Sequence, residues 1–275
     1  MAQLRQTSRL ISTLGLSLLS VGLLLPITGC TGRSGYPIVG RIVDIAVTPS
    51  PREAVLDAYN TFDPDRRREA IDLLAAAPFG GDEQYLKTYR LILDDPDPLV
   101  TAACLRALGR HGDTSDGPAI LRRLGDDSPM VRWAAADALQ RIHLPHTAVQ
   151  PLIQAVNDDE SVDVRRSAAV ALGQYEQPVV FDTLVGVLND ANFSVSQAAY
   201  QSLVFLTGQA ELPVDSRPWI AWASDNRGRL FAGGAAYVYR DYPDLPTFFD
   251  WLQFWKDDAP PVFGTPVGLD AGDAG

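Results

Sequence analysis

Carboxylates gather at four places along this chain, Asp94-Asp95, Asp126-Asp127, Asp158-Asp159-Glu160 and Asp190. Oxygen ligands at that density could hold a divalent cation, and paired acids could share a proton for acid/base work. Their setting favours neither. No cluster has the ordered ligand positions and glycine turn of a calcium loop. Groups that recur at a regular step form an edge rather than a single poised pair, and acids just ahead of helix N-termini are favoured there by the helix dipole.

Other reactive types are scarce. The three histidines are His111, His143 and His146, and Pro145 breaks the segment joining the last two, so they cannot form a regular helical metal pair. Without a Cys or Glu at ligand spacing beside them, no metal and no cofactor is expected. Cys104 lies in an Ala/Leu helix face that disfavours a thiolate, and the chain has no Gly-x-Ser-x-Gly elbow, P-loop or dinucleotide glycine fingerprint. No residue is therefore assigned a catalytic role.

Self-similarity accounts for the regular step. Related stretches such as "DPDRRREAIDLLA" and "SVDVRRSAAVALG" start at Asp63, Asp97, Ser128, Ser161 and Asn192, which are 34, 31, 33 and 31 residues apart. Such spacing marks a stacked repeat. Each start is a residue whose side-chain oxygen can accept from the free N–H groups of a first helical turn, and Pro64, Pro98 and Pro129 follow three of them. Seven residues past each start comes Ala70, Cys104, Ala135, Ala168 or Ala199, and four further on Leu74, Leu108, Leu139, Leu172 or Leu203. The two columns share one helical face, the small one admitting a neighbouring helix and the leucines filling the seam. A second helix precedes each next copy, marked by Leu86, Leu121, Leu152 and Leu184. Gly109, Gly112 and Gly173 fall near the turns, where left-handed C-caps are expected. Ser50-Pro51-Arg52-Glu53 is a capping-box pattern that opens the structured part.

The register of "SPMVRWAAADALQ", with Arg132 after Val131 and a parallel Val164-Arg165, resembles HEAT repeats of the short bacterial kind related to phycocyanobilin-lyase repeats, over residues 50–208. The resemblance implies an all-α fold, a right-handed α-solenoid of about five helix-turn-helix repeats. It also implies that the Arg after Val pairs with acids of adjacent units. Arg67, Arg132 and Arg165 fill that column, whereas Thr101 and Ser196 interrupt it. Exposed pairs of this kind contribute ~0–1 kcal/mol each.

At the N-terminus, Arg5 and Arg9 precede an apolar run from Leu10 to Leu25 that Ser12, Ser17 and Ser20 interrupt and Pro26 stops, the layout of an export signal. Ile27-Thr28-Gly29-Cys30 resembles a bacterial lipobox. That resemblance implies cleavage before Cys30 and lipid on its thiol and new amino group, the several chains that lasting anchorage needs. The chain then divides into a signal peptide (1–29), a short extended tether (30–49), the solenoid (50–208), a C-terminal capping helix carrying Trp219 and Trp222 (209–227), and an aromatic-rich extension with a tail (228–275). In that extension "TFFDWLQFW" sets Phe248, Trp251, Leu252 and Trp255 on one helical face. Such a face either docks back on the solenoid or is offered to a partner or an interface.

The formal charge of −11 becomes −13 once Arg5 and Arg9 are removed, so nucleic acid and anionic headgroups are poor partners for the average surface. Lipid, repeats and absent catalytic constellations together predict an exported, membrane-anchored scaffold at the cell envelope that binds an unknown protein, facing the periplasm or exterior. Arg122, Arg123 and Arg141, or Phe248, Trp251 and Trp255, are the expected contacts. The alternative implied by the repeat resemblance is a bilin-lyase-like or cofactor-chaperone activity on a partner protein. Oligomeric state is not readable from the chain.

Overall fold

A computed structural model describes residues 50–241 and 262–269. Among these are eleven α-helices: α1 Pro51–Ala58, α2 Pro64–Ala76, α3 Glu83–Ile92, α4 Pro98–His111, α5 Gly117–Arg122, α6 Pro129–Ala138, α7 Val149–Asp158, α8 Val162–Leu172, α9 Pro178–Val187, α10 Phe193–Thr207 and α11 Ser216–Asp225. Two short strands follow, β1 Tyr239–Arg240 and β2 Phe263–Gly264. The first helices of successive pairs pack in the order α2, α4, α6, α8, α10, and the second helices α7, α9 and α11 pack on one another alongside them. This is an α-solenoid whose core runs along the stack.

The two sequence columns form the seam. Ala70, Cys104, Ala135, Ala168 and Ala199 are buried, as are Leu74, Leu108, Leu139, Leu172 and Leu203. At the N-terminal end α1 covers α2 with Ala54 and Ala58, and its Ser50–Glu53 capping box is closed in both directions. At the other end α11 packs on α9 as α9 packs on α7, so it is the second helix of the fifth pair. Trp219 of α11 is fully buried between Phe181 of α9 and Tyr200 of α10, and its indole N–H donates to Pro213 O at 2.9 Å. The irregular segment before α11 had hidden the repeat's period.

The glycines act differently from the C-caps expected of them. Gly112 and Gly173 have φ of −75° and −60°, and Gly109 lies inside α4. Their use is close approach, because a Cβ on Gly109 would stand 2.8 Å from Ala138 Cα, and one on Gly173 would stand 2.8 Å from Ser202 Oγ. The left-handed C-cap falls instead at Gly208 after α10, with φ of 73°. No helix among the described residues is long and apolar enough to cross a membrane. Cys30, the signal peptide, the tether, Phe248, Trp251 and Trp255 all lie outside the described residues.

Candidate functional site

The acidic clusters sit in the turns from each second helix to the next first helix, and their carboxylates do the same local work each time. Asp95, Asp126, Asp159 and Asp190 each accept the backbone N–H two residues on, from Asp97, Ser128, Ser161 and Asn192, at 2.7–3.0 Å. The five starts all occupy N-cap positions. Asp63, Asp97 and Asn192 accept from the first turn with their side chains, whereas Ser128 and Ser161 make no such bond. At those two turns the upstream carboxylate organises the corner, and a guanidinium covers it.

The same acids tie one repeat to the previous one. Arg67 Nε lies 2.8 Å from Asp95 Oδ2, Arg132 Nε 2.7 Å from Asp159 Oδ2, and Arg165 Nε 2.9 Å from Asp190 Oδ2, each with Nη2 reaching the second oxygen. Their Nη1 groups donate to the carbonyls of Asn60, Asp126 and Asp159 respectively. The Arg132 and Asp159 side chains are 12% and 7% exposed, so these are largely buried fork-to-fork pairs, to which the small contribution of exposed pairs does not apply. The Arg165 hydrogen bond draws the Asp190 carboxyl below its ordinary range. At Asp159 burial pushes upward, but the Arg132 bonds and the Ser161 N–H outweigh it and the net shift is down.

The ladder breaks where the column does. Thr101 Oγ1 donates to Asp95 O at 3.1 Å and Ser196 Oγ to Phe193 O, so neither crosses to the next unit. Asp126 is met from the other side by Arg123, at 3.1 Å, and Arg123 also holds Asp94 and Leu93 O. Arg123 is therefore engaged within the chain and half-buried.

The opposite edge, at the turns from first to second helices, is covered by the C-terminal segment. From α11 the chain runs back along the array: Ala235 N donates to Phe205 O, Tyr237 packs on Phe205, and Val267 exchanges bonds with Arg141 O and His143 N, all at 2.8 Å where hydrogen-bonded. Gly268 lies against Thr114 and His143. Strand β1 pairs with β2 antiparallel, and Ile142 bridges Val267 in parallel. Carbonyls at or just past the ends of first helices, which lack partners within the helix, are satisfied by this strap.

Arg141 is the strap's anchor and not a free cation. Only 4% of it is exposed, Nη1 lies 3.0 Å from Asp137 Oδ2, Nη2 donates to Arg240 O, and the guanidinium sits 5.0 Å from the Tyr239 ring centre. Charge type misled the sequence reading here, because a guanidinium is tolerated inside beside a carboxylate, carbonyls and a ring. The histidines are likewise occupied. His111 Nε2 donates to Ala75 O at 2.6 Å. His143 stacks on Tyr175, with Nδ1 3.1 Å from Gln174 Oε1. Gln174 spends its amide protons on Leu139 O and Ala171 O, so the imidazole Nδ1 carries the hydrogen. No group of three metal-ligating side chains occurs among the described residues.

The face of the second helices is open and grooved. It carries a groove of about 590 Å³ between α9 and α11, with Phe181, Val185 and Ile220 as apolar lining and Asp182 and Arg227 beside them. A second groove, of about 410 Å³, runs between α5 and α7 and is lined by Arg122, Leu124, Gln154 and Asp158. Arg122 is exposed there, the one expected partner-binding arginine that is. Reading the sequence for charged residues missed the α9–α11 groove, although Ile220 exposed on a helix that buries Trp219 is its signature.

A family model described as HEAT repeats matches residues 52–140, 87–167 and 149–214. A HEAT repeat-containing taxis protein of Halobacterium salinarum is 30% identical over 159 residues, covering 57% of this chain and 34% of that protein. The chain thus spans about a third of the length of this curated relative. Among solved structures, YibA of Escherichia coli is 19% identical, with 68% of this chain and 67% of that one covered at a TM-score of 0.49. The CpcE–CpcF complex of phycocyanin lyase from Nostoc is 21% identical, with 66% and 89% covered at a TM-score of 0.29.

Proposed function

Since the chain belongs to the HEAT-repeat family, we propose that it is an exported, lipid-anchored scaffold that binds a protein partner at the cell envelope through the face of its second helices. The observation that carries the binding half is the division of the surface. Arg–Asp pairs occupy much of one edge and the C-terminal strap lies along the other, while the second-helix face carries the α9–α11 and α5–α7 grooves, apolar with charged rims. The envelope half rests on the export-type N-terminus and Cys30. A taxis role belongs to the much longer relative and is not carried over.

The lyase-like alternative has no comparable support. Cys104 is buried in the seam, where burial drives its thiol far above the ordinary range, and Cys30 lies outside the described residues.

Photo-cross-linkers at Ile220 and Arg122, with Arg166 on the outer face of α8 as control, test the binding face in cells expressing the full chain. One and the same protein joined from Ile220 and Arg122 but not from Arg166 supports the reading. A partner joined only from Arg166 defeats it. Metabolic labelling with an alkynyl fatty acid tests the anchor: label on the wild type that Cys30→Ala abolishes is the expected outcome, and an unlabelled wild type removes the anchor.

A further inference from the structure

Between the strap and the turns of the third and fourth pairs lies a cavity of about 500 Å³, within the size range of small-molecule sites. Its buried lining is polar and aromatic, with Gln174, Tyr175 and Tyr237, while His146 and Glu176 are exposed lining residues. Pro145, Leu206 and Leu269 add apolar wall. A neighbouring hollow of about 640 Å³ shares Glu176, Ala235 and Ala236 with it, so Glu176 stands where the two meet.

Two groups in this lining lack partners. Tyr237 is buried, yet its hydroxyl has no hydrogen-bond partner, which is costly unless something supplies one. Glu176 has no ion pair or hydrogen bond among the described residues, although Arg229 lines the second hollow. Partial burial pushes the Glu176 carboxyl up, with no cation to offset it. In the ladder, by contrast, Asp95, Asp159 and Asp190 are each paired with an arginine. A carboxylate beside tyrosine rings at the mouth of an apolar-walled cavity is a cation-recognising arrangement.

The geometry points to a binding site for a small amine-bearing organic molecule, its ammonium group at Glu176, its apolar body between Leu206, Leu269 and Tyr237, and a polar atom available to the Tyr237 hydroxyl. The site is built jointly by the solenoid and its own C-terminal strap. It is independent of the second-helix face, so it stands or falls apart from partner binding.

Calorimetric titration of the full chain tests it, with benzylamine, phenethylamine and tryptamine as probes, and 2-phenylethanol and phenylacetate as neutral and anionic controls. At least one amine should bind saturably and about tenfold more tightly than the alcohol, a difference of ~1.4 kcal/mol. Glu176→Gln should erase that preference while leaving the melting temperature unchanged, since Glu176 is exposed and unpaired. Tyr237→Phe should weaken the amine without removing the preference. If no amine saturates by ~10 mM, an affinity of less than ~3 kcal/mol, the proposal is overturned. Retention of the preference in Glu176→Gln overturns it equally, because the amine would then sit elsewhere.

Discussion

Arg132 of the third pair holds Asp159 of the turn ahead of the fourth, with Nε 2.7 Å from Oδ2 and Nη2 3.0 Å from Oδ1, while Asp159 Oδ1 also accepts the Ser161 N–H at 2.8 Å. One carboxylate thus shapes its own turn and locks it to the preceding repeat. The two residues are 27 apart, less than the 33 that separate the Ser128 and Ser161 starts, so the tie joins neighbouring repeats.

Removing one member leaves the other buried and uncompensated. Arg132→Met and Asp159→Ala should each cost about 3–5 kcal/mol, and Arg132→Lys should recover only part of that, because an ammonium cannot bind both oxygens in the same plane. Urea denaturation checks the size. The exposed pair Arg166–Asp163 is the control, and its loss should cost under ~1 kcal/mol.

Acid should weaken the stack through the same edge. Asp190 and Asp159 titrate below their ordinary range in the folded protein, so the folded state binds fewer protons than the unfolded chain as pH falls. Their contribution is complete above the unfolded carboxylate value, near pH 4, and is lost as pH drops toward the depressed native values. Denaturation midpoints measured from pH 7 to pH 3 should therefore fall steeply only at the acid end. Asp190→Asn should be less stable at pH 7 and show a shallower acid slope.

Close approach at Gly109 gives a sharper test of packing. An alanine there would improve intrinsic helix propensity by up to ~1 kcal/mol. Its Cβ would nevertheless fall 2.8 Å from the Ala138 backbone, which cannot move aside, so Gly109→Ala should be destabilising by about 1–3 kcal/mol net. Leu139→Ala, a truncation in the same buried seam, should cost about 2–5 kcal/mol. Thermal melting of both variants decides; an unchanged midpoint for either would contradict its placement.

The strap can be examined by amide hydrogen exchange. Val267 N and Ala235 N donate to Arg141 O and Phe205 O, and both should be protected in the wild type. In Arg141→Met the Tyr239 and Arg240 contacts go, so Val267 should exchange faster while Val164 in α8, deep in the seam, stays protected. Equal loss at both sites would mean that Arg141 serves the solenoid and not the strap.

Much of this architecture is written locally. The Ala and Leu columns, the N-cap positions at Asp63, Asp97 and Asn192 and the prolines after them are set by contacts within one or two helical turns, which recur at the repeat's step and are legible for that reason. The acids' role at helix starts was legible too, but not their depth: whether Arg132 is exposed depends on how closely α6 and α8 approach, a matter of the whole stack. Arg141 shows the limit most plainly. Its fate turns on Asp137 one turn away and on Arg240 ninety-nine residues away, and no periodicity reports a contact at that separation. The chain by itself determined the repeat, its register and its charge. Only the tertiary structure decided which charges are paired, that residues 226–241 and 262–269 return along the turns between paired helices, and that grooves lie open on the second-helix face, because those outcomes depend on surfaces that exist only after the helices have stacked.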